Sequence, residues 1–93
     1  MLKLLTALDL AMSTYGPTLQ KIVCLEEMSE LTKEISKDIR GKGNLKNIVE
    51  ELADVEIMVE QMIRYYDVND SVRGAKDSKL ERLRRRLMED IKK

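Results

Sequence analysis

A chain of 93 residues and 10.8 kDa has room for one domain and not two. Its 17 Lys and Arg balance 17 Asp and Glu, so no global field draws it to a nucleic acid polymer or an anionic membrane. The absence of histidine excludes His-based acid–base catalysis, Ser-His-Asp triads and His-bearing zinc sites, and the lone Cys24 cannot close an intrachain disulfide.

Composition points to helices: Leu, Lys, Glu, Arg and Met are abundant, while there are three Tyr and no Phe or Trp. The apolar start Leu2, Leu4, Leu5, Leu8 and Leu10 is interrupted by Lys3 and Asp9. It is too short to span a bilayer, and a cytoplasmic protein is expected. The pattern predicts a first helix from Leu2 to about Ser13, closed by Thr14-Tyr15-Gly16-Pro17. Pro17 suits the opening turn of a second helix, expected to run to about Arg40. There Cys24, Met28, Leu31, Ile35 and Ile39 share one side, and Cys24 is expected to be buried.

Gly41 and Gly43 reverse the chain, and Asn44 caps a third helix from about Leu45 to Tyr66. Its apolar arc is Ile48, Leu52, Val55, Val59, Met62 and Tyr66. Asp67-Val68-Asn69-Asp70 breaks it, and Ser71 to Lys76 is ambiguous. Ser78-Lys79-Leu80-Glu81 reads as a capping box opening a last helix, with Leu80, Leu83, Leu87 and Ile91 on one face. Residues 1–93 thus form a single all-α domain, a bundle of four main helices. Small domains bury a modest fraction of their surface, so dimerisation is expected to complete the core.

Four carboxylates stand out. Most acids in such helices face water, and Glu34, Glu56, Glu60 and Glu89 fit that expectation. With Val55 at the centre of the third helix's arc, however, Glu51 lies about 40° away and Asp54 about 100° away, at the edge. Glu27 borders the arc of the second helix, with Glu30 one step further round. In an antiparallel hairpin closed by the Gly-rich turn, Glu27 falls opposite Asp54 and Glu30 opposite Glu51. Acids so gathered must pair with Arg or Lys, take up protons, or bind a hard divalent cation. With oxygen ligands alone, the cation would be Mg²⁺ or Mn²⁺.

The string Glu26-Glu27-Met28-Ser29-Glu30-Leu31, followed by Glu51-Leu52-Ala53-Asp54, resembles the EExxE … ExxD signature of the MazG-like all-α nucleoside triphosphate pyrophosphohydrolases. That superfamily includes dimeric dUTPases and dCTP pyrophosphatases. The resemblance covers roughly Gly16 to Tyr66, with a looser match in the basic last helix. It implies that Glu27, Glu30, Glu51 and Asp54 bind Mg²⁺. It also implies a homodimer or homotetramer that splits the α–β phosphoanhydride of a (d)NTP into monophosphate and pyrophosphate. Glu27 or Glu30 would accept the proton of the attacking water. Lys79, Arg82 and Arg86 would meet the phosphates, although Leu83 replaces the Asn common in relatives. Gln20 matches a position of polar contact to the nucleotide.

A second reading treats the chain as a non-catalytic nucleotide-sensing or protein-interaction module. Its acids would then pair with basic side chains across an interface, and the Arg-rich last helix would be a solvated face.

Overall fold

The computed structural model describes residues 4–93, and side chains from residue 7 onward. Among these the fold is all-α: α1 (Leu4–Tyr15), α2 (Pro17–Ile39), α3 (Leu45–Tyr66) and α4 (Asn69–Lys92), with no strand. The expected first residues of α1, Leu2 and Lys3, lie outside the described residues.

The central unit is the α2–α3 hairpin, which holds most of the tertiary contacts. Pro17 occupies the first turn of α2. At the other end, Gly41 adopts φ +77° while the Lys42 N–H returns to the Lys37 carbonyl at 2.9 Å, a left-handed helix stop that favours glycine. A Cβ on Gly43 would stand 2.8 Å from the Asp38 Cα, so the turn can fold back tightly only without one. Asn44 then caps α3, its side-chain oxygen accepting from the Asn47 N–H at 3.2 Å.

At its far end α3 stops at Asp67, which is left-handed (φ 54°, ψ 51°), and Val68 N–H reaches back to the Ile63 carbonyl at 3.1 Å. The chain re-enters a helix at once. α4 therefore begins at Asn69, nine residues before the expected capping box, and Ser78 is an interior residue. Nothing between Ser71 and Lys76 breaks a helix except Gly74, which costs only about 1 kcal/mol relative to Ala. Asp70 in the first turn complements the helix dipole.

α1 lies across the open end of the hairpin. Gln61, 2% exposed, donates from Nε2 to the Leu8 carbonyl at 3.1 Å. Arg64 grips both oxygens of Asp9 through Nη2 at 2.9 Å. Leu8, Cys24 and Met58 are the buried apolar residues among those described.

Burial corrects the expected arcs. Of the α2 arc, Cys24 is buried and Leu31 half-buried, but Met28, Ile35 and Ile39 are exposed. On α3, Leu52, Val59 and Tyr66 are exposed as well. The seam between the helices instead follows Gln20, Cys24, Glu27, Leu31 and Glu34 on α2, spaced as a coiled-coil stripe. On α3 it centres on Met58, about 60° round from Val55. Glu34, expected in solvent, is therefore buried, and Glu60 is half-buried. Glu56 and Glu89 are exposed, as expected.

Candidate metal centre

That rotation brings the acids inward. Glu51 falls about 20° and Asp54 about 40° from Met58, so both project toward α2. One carboxylate oxygen each from Glu27, Glu51 and Asp54 lie within 4.8 Å of one another. Glu27 and Glu51 are half-buried and Asp54 is exposed, giving a cluster closed at the back and open on one side.

Among the described residues, no base forms a salt bridge with these three. The charges acting on Glu27 are those of Asp54, Glu51 and Glu30; those acting on Glu51 are Asp54, Glu30, Glu34 and Glu50. Both carboxyls are consequently pushed above their ordinary proton affinity. For Glu27 the chief cause is the hydrogen bond to Asp54, followed by desolvation; for Glu51 it is desolvation, followed by the Asp54 charge. The Glu51 Oε2 atom is buried and has no hydrogen-bond partner. A buried carboxylate oxygen without a partner is costly, and three oxygens with no soft ligand make a donor set that a hard divalent cation fits.

Glu30 stands apart from the cluster. It is exposed, with Lys33 at 3.9 Å, close enough for its charge to act on Glu27 and Glu51 but outside the converging three. Glu34, one turn further along α2, pairs with Lys37 at 3.3 Å through Oε2, and its Oε1 is buried without a partner. Sequence reasoning missed Glu34 because it centred the buried arc of α2 on apolar residues. Its position seven residues after Glu27 was the available signal, since heptad spacing keeps two residues on one seam.

Gln20 is also on the seam and buried, 6% exposed, seven residues and so about 10 Å from Glu27 along the helix. Nearby, Lys21 sits over the rings of Tyr65 and Tyr66, at 5.0 and 5.2 Å from their centroids. The Tyr66 hydroxyl is the main cause of the raised proton affinity of Lys21. Tyr15 is exposed on α1.

Lys79, Arg82 and Arg86 are exposed on α4. Lys79 and Arg82 flank a shallow groove with Ala75, Ser78 and Arg85. The Arg ion pair within α4 is Arg84 with Glu81, at 3.1 Å. Among the described residues, no salt bridge joins α4 to the acidic cluster. A single chain thus gathers Glu27, Glu51 and Asp54, leaves Glu30 and Gln20 outside the converging three, and among the described residues makes no salt bridge from α4 to them.

Compared with protein-family models, with curated proteins and with solved structures, the chain finds no match. No helix among the described residues is long and apolar enough to cross a membrane.

Proposed function

We propose that this protein is a Mg²⁺-dependent (Mn²⁺ serving in its place) nucleoside triphosphate pyrophosphohydrolase of the MazG-like kind, cleaving a (d)NTP to monophosphate and pyrophosphate in the cytoplasm. The observation that carries this reading is the convergence of one oxygen each from Glu27, Glu51 and Asp54, with a buried, unpartnered oxygen on Glu51, set on the helices that bear the EExxE and ExxD strings. Bound divalent cations supply neutralising charge for a polyanionic substrate and make water more acidic.

The chain's own residues divide the remaining work. Glu27, Glu51 and Asp54 hold the cation. Glu30, exposed and only loosely held by Lys33, can swing in as a fourth ligand. Either Glu30 or Glu27 takes the proton of the attacking water at a carboxylate oxygen, because a base needs reach to that proton before it needs a tuned pKa. Gln20 offers an amide on the seam for the nucleoside. Lys79, Arg82 and Arg86 supply positive charge for the distal phosphates.

The test is incubation with a panel of (d)NTPs and Mg²⁺, resolving pyrophosphate from orthophosphate. Pyrophosphate with monophosphate is expected. Orthophosphate release, or turnover untouched by Glu51→Gln, would overturn the proposal.

One observation favours a second reading, a non-catalytic interaction module. Glu27 and Asp54 bring carboxylate oxygens within 4.8 Å of each other, and a proton held on Glu27, whose affinity is raised, relieves part of their repulsion without an ion. Thermal melts separate the two readings, since a ligand that prefers the native state raises the midpoint by mass action. Indifference to millimolar Mg²⁺, with or without nucleotide, would establish the module.

A further inference from the structure

Glu34 is a buried carboxylate that belongs to neither the EExxE nor the ExxD string. It follows Glu27 by seven residues, which brings a helical side chain back to within about 20° of the same direction, so both face α3 across the seam. Only 7% of Glu34 is exposed, a burial that an ionised carboxylate tolerates only with partners. Lys37 reaches one of its oxygens, Oε2, at 3.3 Å, and stays 38% exposed itself. The other oxygen, Oε1, is buried and has no hydrogen-bond partner among the described residues.

Glu51 is in the same condition on the opposite helix. Among the described residues, the buried carboxylate oxygens without a partner are Glu34 Oε1 on α2 and Glu51 Oε2 on α3. The charges of Glu30 and Glu34 both act on Glu51, so it lies across from the turn of α2 that these two residues span. Those acting on Glu27 are Asp54, Glu51 and Glu30. Counted along the hairpin, Glu34 stands about 6 Å nearer the Gly-rich turn than Glu30, the residue opposite Glu51. Glu27 and Asp54 converge with Glu51 on its other side.

Two buried acids facing each other repel, and each has one oxygen that its surroundings leave unmet. Lys37 is the base that pairs with Glu34, through Oε2, and no salt bridge among the described residues reaches Glu51. A hard cation offsets both carboxylates at once, and Mg²⁺ suits the place because it keeps several waters and is commonly held by one or two carboxylates.

We infer that Glu34 and Glu51 hold a divalent cation of their own on the turn side of the Glu27, Glu51 and Asp54 cluster, with Lys37 as its internal competitor. The inference rests on the metal-binding part of the proposed function and adds to it a position that needs neither Glu27, Glu30 and Asp54 nor the phosphates of a nucleotide. Glu51 serves both positions, one on each side. An ion loaded there in advance lowers the negative charge that a triphosphate meets on approach.

Counting bound Mn²⁺ by equilibrium dialysis without nucleotide tests it, with circular dichroism confirming that each variant stays helical. The wild-type chain is expected to bind two Mn²⁺. Glu34→Gln, which keeps the volume and removes the charge, should bind one. Glu27→Gln/Asp54→Asn should also keep one, and adding Glu34→Gln to that pair should remove it. Lys37→Met takes away the competing ammonium, so the ion beside Glu34 should bind about threefold more tightly, the size of a lost exposed ion pair. A wild type that binds one Mn²⁺, unmoved by Glu34→Gln, would overturn the inference and leave the three-acid site standing, whereas a wild type that binds none would overturn both. An ion that survives Glu34→Gln in the Glu27→Gln/Asp54→Asn background would overturn the inference as well. Should Glu34→Gln unfold the chain, Mn²⁺ binding unchanged in Lys37→Met would do the same.

Discussion

Glu51 is the residue where the costs of the site concentrate, since its buried oxygen has no partner among the described residues and burial and the charges of Asp54, Glu30, Glu34 and Glu50 all act against its ionised form. Glu51→Gln removes that charge at nearly constant volume. In EDTA the variant should therefore melt higher than the wild type, while its Mg²⁺-induced shift and its pyrophosphate release should fall together. The loss of turnover is expected to be about 100-fold or more, because each 1.36 kcal/mol of lost charge stabilisation is a factor of ten. The pH dependence follows from the direction of the shifts. Glu27 and Glu51 hold protons more tightly folded than unfolded, so the folded state is favoured on the acid side. That advantage is lost as pH rises from the ordinary Glu value of 4.5 through the raised folded values. Without metal, wild-type stability should fall with rising pH more steeply than that of Glu51→Gln, as melts in EDTA would show. Added Mg²⁺ should reverse the trend, because the cation needs the ionised acids and binds better as pH rises.

Among the elements, the two helix stops are most open to test. Gly41 is left-handed with nothing within 4 Å of the place a Cβ would occupy, so Gly41→Ala meets conformational strain alone and should cost about 1–2 kcal/mol. Asp67 holds the same kind of conformation with a side chain. Asp67→Gly should accordingly stabilise the chain by roughly 1 kcal/mol. Urea denaturation at one fixed protein concentration measures both, with unchanged m-values as the sign that neither alters the fold. The early start of α4 belongs to this scale too. A single left-handed residue completes the break after Tyr66, so the polar run that follows is spent as the first turns of a helix and not as a loop.

For the whole molecule, net charge zero conceals a division between an acidic hairpin and a basic arm. The helices α2 and α3 carry ten acids against five bases, while α4 carries the reverse excess. α4 also has no buried residue, and Leu80, Leu83, Leu87 and Ile91 lie bare along it. Association that covered these side chains would tie stability to concentration, and the melting temperature would then rise with protein concentration. A midpoint independent of concentration over a hundredfold range would show that these side chains stay uncovered. Mg²⁺ at a hundredfold excess over its dissociation constant should add about 2.7 kcal/mol on top of that dependence.

The residue pattern by itself determined the helices α2 and α3, the turn between them, and the facing of Glu27 with Asp54. Periodicity, a glycine pair and an Asn cap act within a few residues and need no tertiary information. It also showed that Cys24 would be buried. The side of each helix that would meet the other was a tertiary decision. Apolar residues outnumbered the acids on the expected arcs, and only packing revealed that Met28, Ile35, Leu52 and Val59 stay outside while Glu27, Glu34 and Glu51 go in. Hydrophobic periodicity registers that a face is to be buried, without saying whether its own chain or another will cover it. For the same reason Glu34 looked solvated and Glu30 looked equivalent to its neighbours: burial of a charge depends on what lies across the seam, and that neighbour is more than a dozen residues away in the chain.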